Sequence, residues 1–283
     1  PLLTRLYGPN QYGIFGLYLS IGTIAASIST LRYSQAIQIS KNQEDAFLIL
    51  RFCIFFVFSF SILLYSILIP IYYFYLSFFK IESIGGTILT LPVYIFCVGL
   101  NEVLLVWINR NKQFKYISFN RILTSSITQI SSLIWAITID HSFKGLVLGL
   151  ILGQMIGTIF LFYRSNRIKK FDLSFKKNKL MSLLNEFKHF PIYSLPSDLI
   201  NVITNQLPIF MLNKFSTITE VGYFNMSNRI LGLPSQFISA SIGEVFRQRA
   251  TQDYNTTGTC LPIFKKTFRT LVLLGIVPFT IIS

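Results

Sequence analysis

Long apolar runs separated by short, mostly basic gaps make up the pattern of this chain. Runs long enough to cross a bilayer, about 20 residues each, fall at 12–39, 47–70, 84–108, 114–139, 143–163, 188–213, 221–246 and 267–283. The pattern predicts about eight transmembrane helices in an all-α integral membrane protein. The last run stops in mid-helix at "VPFTIIS" and the first residue is Pro1. The chain is therefore expected to be a fragment, with a helix missing in front and more missing behind.

The gaps are not alike. Those after the first, third, fifth and seventh runs, with their flanks, hold 19 of the 25 basic residues, among them Arg110, Lys112, Lys115, Arg121 and eight from Arg164 to Lys188. The opposite ends hold only Arg5, Lys80, Lys144 and Lys214. Cytoplasmic loops carry the Lys and Arg excess, so the first run is expected to pass from outside to inside.

Two basic residues are left within runs, Arg32 and Arg229. A charge at membrane depth costs roughly 3 kcal/mol on insertion scales and usually faces a bundle interior or a wet cavity. Snorkelling is the alternative, since Arg32 lies about two turns from its cytoplasmic end and a long side chain can reach the interface. At 100° per residue, Asn225, Asn228, Arg229, Gln236 and Ser239 share one face of an otherwise apolar run. Arg121, Thr124, Ser125, Thr128 and Ser132 share another, and Asp198, Asn201 and Asn205 a third. For Ser and Thr alone, hydrogen bonding between packed helices accounts for such stripes. With the charges included, the three faces point to a shared hydrated cavity suited to a sugar or a phosphate.

Composition agrees with a lipid setting: 52% hydrophobic, 16% aromatic, 13% charged, and a mean hydropathy of +0.56. The net charge of +14 follows the gaps, which is membrane topology and not a nucleic-acid footprint. Cys53, Cys97 and Cys260 lack the spacing of a metal site or a disulfide framework and read as core residues. No nucleotide-binding signature and no cofactor motif occurs. Prolines at 70, 92, 191, 196, 208 and 234 allow kinks.

One further pattern concerns the whole chain. "RLYGPNQYGIFGLY", from Arg5, returns in outline as "KFSTITEVGYFNMS", from Lys214. An offset of 209 residues aligns Gly13 with Gly222 and Phe15 with Phe224. Both stretches lie on the extracytoplasmic side ahead of an inward-running helix, so the repeat is parallel, with two halves of six helices related by an axis along the membrane normal.

The opening "LLTRLYGPNQYGIFGLYLSI…ISTLRYSQAI" resembles that of the bacterial polysaccharide biosynthesis proteins, the repeat-unit (O-antigen type) flippases. "GYFNMSNRILGLP" is similar to the family's second-half signature, and "GLVLGLILGQMIGTIFL" to its sixth helix. The resemblance implies the fold of the multidrug and toxin extruders, two six-helix lobes around a central cavity. Here that divides the chain into an N-terminal lobe at 1–163, a basic cytoplasmic loop at 164–188 and the start of a C-terminal lobe at 189–283. It also implies a substrate, an undecaprenyl-pyrophosphate-linked oligosaccharide moved across the bacterial cytoplasmic membrane, with membrane lipids and a polysaccharide polymerase or other assembly proteins as partners and no nucleic acid. Arg32, Arg121, Asn201, Asn205, Asn225, Asn228, Arg229 and Gln236 are then the candidate substrate contacts.

Two rivals remain at this stage. An ion-coupled drug or cation antiporter shares the fold, and Glu102 and Asp198 are its candidate ion-coupling acids. A membrane polymerase or ligase normally carries a large extracytoplasmic loop with catalytic residues, whereas the outer gaps here are short and no catalytic residue stands out. His141 beside Asp140, and His189 beside Lys188, read as turn and interface residues. The basic 164–188 segment is expected to rest on the anionic leaflet, at about 1 kcal/mol per residue near the surface.

Overall fold

The computed structural model describes residues 2–75, 84–166, 177–229, 231–232, 259 and 261–282. They form helices and no strand among the described residues. The chain comprises two compact units, Pro1–Tyr223 and Phe224–Ser283.

The first unit begins with α1 (Leu2–Leu6) and α2 (Gly8–Ile28), separated by Gly8 at φ +54°. α3 (Tyr33–Ile39) and α4 (Gln43–Tyr75) follow, then a 3₁₀ turn (Gly85–Thr90) leading into α5 (Leu91–Arg110). α6 (Phe114–Thr138) and α7 (Phe143–Asn166) form an antiparallel pair. α8 (Lys177–Glu186) and a π-helical turn (Phe190–Ser194) lead to α9 (Leu195–Phe215), and residues 218–229 form α10. In the second unit, α11 spans Leu261–Ile282.

Four stretches among the described residues are long and apolar enough to cross a membrane: Gly8–Ile28, Gln43–Tyr73, Gly85–Arg110 and Phe143–Ser165. α6 and α9, with 25 and 21 residues, have the length at about 1.5 Å per residue. Their Ser, Thr, Asn and Gln content keeps them below the same hydropathy. α4 turns Phe55, Phe58, Ile62 and Leu63 outward, all more than half exposed, and α6 does the same with Ile122, Ile130, Ile134 and Ile137. Apolar surface on this scale belongs against lipid and not water.

The run at 12–39 is not one helix. It breaks at residues 29–32, where Leu31 and Arg32 take positive φ, +47° and +58°. The local chemistry explains where: Ser27 Oγ donates to the Ile24 carbonyl at 2.7 Å and Ser29 Oγ to that of Ala26 at 2.6 Å, hydroxyl bonds that compete with the helix ladder. Left-handed Leu and Arg each cost of order 1–3 kcal/mol, so the surroundings must fix them. They do so through a core in which Tyr33, Ala36 and Ile37 of α3 meet Ile49, Cys53 and Val57 of α4 and Val103 and Trp107 of α5. Arg110 completes the joint, donating to the carbonyls of Ile37, Gln38 and Ser40 at 2.8, 2.9 and 2.7 Å, which satisfies the exposed C-terminal end of α3.

Of the 164–188 segment, residues 167–176 lie outside the described residues. α7 extends to Asn166, and residues 177–186 are helical, with Leu183 packed on the first unit's core. Leu183 and Phe187 are buried in the same core as Trp107. Lys179 reaches Asp45 at 2.6 Å and Glu44 at 3.6 Å, at the first turn of α4, so that charge serves a protein contact; the two carboxylates hold its ammonium above the ordinary lysine range.

Candidate functional site

The glycines of α7 decide what the polar face of α6 does. Gly149, Gly153 and Gly157 turn toward Ser132, Thr128 and Thr124, and a Cβ on Gly149 would lie 2.8 Å from the Thr128 carbonyl oxygen. Ser132 and Thr124 hydroxyls close on their own helix, on the carbonyls of Thr128 and Asn120, at 2.8 and 2.9 Å. These hydroxyls are packing groups in a small-residue seam, not the wall of a cavity. Arg121, one turn away, is exposed on the outside of this pair. Asn120, beside it, is buried and donates to Asn101 of α5 at 3.2 Å.

Polar and charged side chains converge elsewhere, between α2, α3, α5 and α9. Arg32 sits at the left-handed break, and its Nε lies 2.6 Å from Oδ2 of Asp198 in the first turn of α9. The pair is an ion pair by distance, although the Arg32 Nε–H makes no aligned hydrogen bond. Its side chains are 24% and 33% exposed, which leaves both reachable. Further along α2, Ser20 Oγ donates to Oε1 of Gln206 on α9 at 2.8 Å. On α3, the buried Ser34 donates to Oε1 of Glu102 on α5 at 2.7 Å. Ser29 and Thr30 are fully buried in the break, Ser29 Oγ being close to Gly99 of α5 and Thr30 Oγ1 having no hydrogen-bond partner.

The structure thus brings Arg32 and Asp198 together and places Glu102 against Ser34, two residues from Arg32. Asn205 donates to Asn201 at 2.9 Å on an exposed stretch of α9, so these two share a face as expected. Asn225, half-buried, and Asn228 and Arg229, exposed, belong to the second unit. Gln236 and Ser239 lie outside the described residues. Periodicity missed Ser20, Ser34 and Gln206; for Ser34 the signal was the Ser and Thr density of "SISTLRYS" inside an apolar run.

At the other end of the bundle, Tyr7 donates to the Ser132 carbonyl at 2.5 Å and the Phe143 amide to Gln11 Oε1 at 2.7 Å, fixing the start of α2 to the last turns of α6 and the start of α7. In the α6–α7 turn Asp140 accepts from Ser142 and from the Trp135 indole, bonds that hold its carboxyl below the usual carboxylate range. His141 is an exposed turn residue. Cys53 and Cys97 are buried free thiols, as their setting in apolar runs predicts.

The sequence profile of the polysaccharide biosynthesis proteins matches residues 2–280. The curated proteins and the solved structures gave no match. A profile match along nearly its whole length, over apolar helices with charged side chains held between them, places the chain in the polysaccharide biosynthesis protein family.

Proposed function

We propose that this protein is a flippase, moving an undecaprenyl-pyrophosphate-linked oligosaccharide across the bacterial cytoplasmic membrane by alternating access for O-antigen, capsule or exopolysaccharide synthesis. Family membership supplies the coarser part, a membrane-linked role in polysaccharide synthesis. The observation that carries the finer reading is the Arg32–Asp198 pair. It is a cation and an anion retained between apolar helices, on a strained break, each about a quarter to a third exposed. A pair of this kind is expensive in a membrane protein and marks a route for polar cargo. Arg32 is suited to a phosphate oxygen because guanidinium binds such groups through paired N–H donors. Asp198 then holds it in place until substrate arrives.

In this reading the two repeats form two six-helix lobes, Asn201, Asn205 and the second repeat's Asn225, Asn228, Arg229 and Gln236 contact the glycan, and no catalytic residue or cofactor is used. A polymerase and other assembly proteins receive the flipped product.

The test is complementation by the full-length protein in a host lacking its own repeat-unit flippase. Restored surface polysaccharide is expected, with Arg32→Ala and Arg229→Ala each lowering it at least about tenfold at equal membrane level, the effect of losing one charge-assisted contact of about 1.5–3 kcal/mol. Glu102, half-buried and held by Ser34, favours the ion-coupled antiporter as the second reading. Export of a cationic dye, lost in Glu102→Gln, with no polysaccharide restored, would select it.

A further inference from the structure

The two glycines of the internal repeat meet face to face. α2 and α10 approach at their N-terminal ends with bare backbone between them: a Cβ on Gly13 would strike the Ile218 carbonyl oxygen and lie 3.2 Å from the Gly222 nitrogen. A Cβ on Gly222 would strike the Pro9 carbonyl oxygen and lie 3.1 Å from the Gly13 nitrogen. The same offset of 209 residues that carries Gly13 onto Gly222 carries Pro9 onto Ile218. The two clashes are therefore one contact seen from each repeat. Reciprocity of this kind, in which i meets j and j's equivalent meets i's, is the mark of a two-fold axis. Gly13 and Gly222 lie beside that local axis.

The contact has a definite end of the molecule. Through Gln11 and Tyr7 the start of α2 is fixed to the start of α7 and the last turns of α6, at the opposite end of α6 from Arg110, Lys112 and Lys115. By the distribution of basic residues this is the extracytoplasmic end. A seam of backbone on backbone closes tightly because no side chain intervenes, as in small-residue helix crossings. Among the described residues no ion pair bridges it. Further along, the contacts to α9 are polar, Ser20 of α2 with Gln206 and Arg32 of the break after α2 with Asp198.

We propose that the Gly13–Gly222 seam is the extracytoplasmic gate of the transport path, closed in this structure and opened once per cycle. The proposal rests on the flippase reading for the word transport. Its geometry stands on the repeat alone. Any side chain at either glycine wedges the seam open, and because both positions belong to one contact, combining them adds little to either alone.

The experiment uses the full-length chain, free of native cysteines, with a reporter Ser20→Cys below the seam and a membrane-impermeant maleimide added to intact cells. Ser20 is fully buried in the closed form. Gly13→Leu and Gly222→Leu are each expected to raise outside labelling about tenfold, the shift that an overpacked contact imposes on a closed–open balance. The double variant should label no more than about twofold above either. Gly13→Ala and Gly222→Ala give a smaller rise in the same order and serve where a leucine variant fails to accumulate. Labelling unchanged in all variants present at parental level would overturn the gate, as would a rise accompanied by undiminished surface polysaccharide. A rise in labelling in a protein whose parent restores no polysaccharide keeps the gate and removes the flippase reading.

Discussion

Arg32 illustrates how a residue read singly differs from the same residue in its setting. Charge within an apolar run marked both Arg32 and Asp198 as functional, but in separate roles, one toward substrate and one toward a coupling ion. The structure makes them partners at 2.6 Å. Their separation of 166 positions in the sequence hides the pairing, because spacing arguments reach only along one helix. Partial exposure puts the coupling between the exposed limit of under 1 kcal/mol and the several kcal/mol of a buried pair, so about 1–2 kcal/mol is expected from a double-mutant cycle read by thermal unfolding in detergent. Exchanging the charges tests it more directly. Arg32→Asp with Asp198→Arg should recover most of the stability that either single change loses. Asp tolerates the left-handed backbone at position 32, so the exchange adds no backbone penalty, and failure to recover would mean that the two side chains do not interact in the membrane.

At the scale of helices, length and hydropathy located most elements to within a few residues: α4, α5, α6 and α7 lie where apolar runs were found. What periodicity could not locate was decided by side-chain hydroxyls, by distant packing, or by both. The break at residues 29–32 follows from Ser27 and Ser29 turning back on the ladder, and it is fixed by a core drawn from α3, α4 and α5. α8 was hidden because its apolar positions, Leu180, Met181, Leu183 and Leu184, span little more than one turn and are preceded by lysines that resemble a topogenic loop. The polar stripe of α6 was legible as a face but not as a purpose; its meaning lay in α7, whose Gly149 and Gly153 recur four residues apart. The element-scale prediction follows. Gly149→Ala and Gly153→Ala should each destabilise the protein by about 1–3 kcal/mol, because the new methyl meets backbone: Thr128 O at 2.8 Å and Ser132 N at 3.0 Å for the first, Thr124 O at 2.7 Å for the second. Gly86→Ala is the control. Its Cβ meets only Tyr72 at 3.4 Å or more, and a melting temperature lowered equally in all three would show that the seam has no special role.

For the whole molecule, the sequence sets an expectation of orientation, from 19 basic residues on one side against four on the other. The repeat was legible as well, and the reciprocal clash at Gly13 and Gly222 gives it a physical content. The orientation makes a prediction that is independent of transport. The α5–α6 turn carries Lys112, exposed, and the α6–α7 turn carries His141, also exposed. They lie at opposite ends of the 25-residue α6, about 37 Å apart along its axis, enough to span the hydrocarbon core of about 30 Å. α6 is the most demanding helix on which to test the topology, because its hydroxyl content kept it out of the four clearly apolar stretches. In a cysteine-free background, His141→Cys should react with an impermeant maleimide in intact cells, and Lys112→Cys only after the membrane is permeabilised. Labelling of both from outside would mean that α6 does not cross and that the α6–α7 pair is a surface hairpin. The opposite pattern, with Lys112→Cys alone reached from outside, would invert the molecule and move the Gly13–Gly222 gate to the cytoplasmic end.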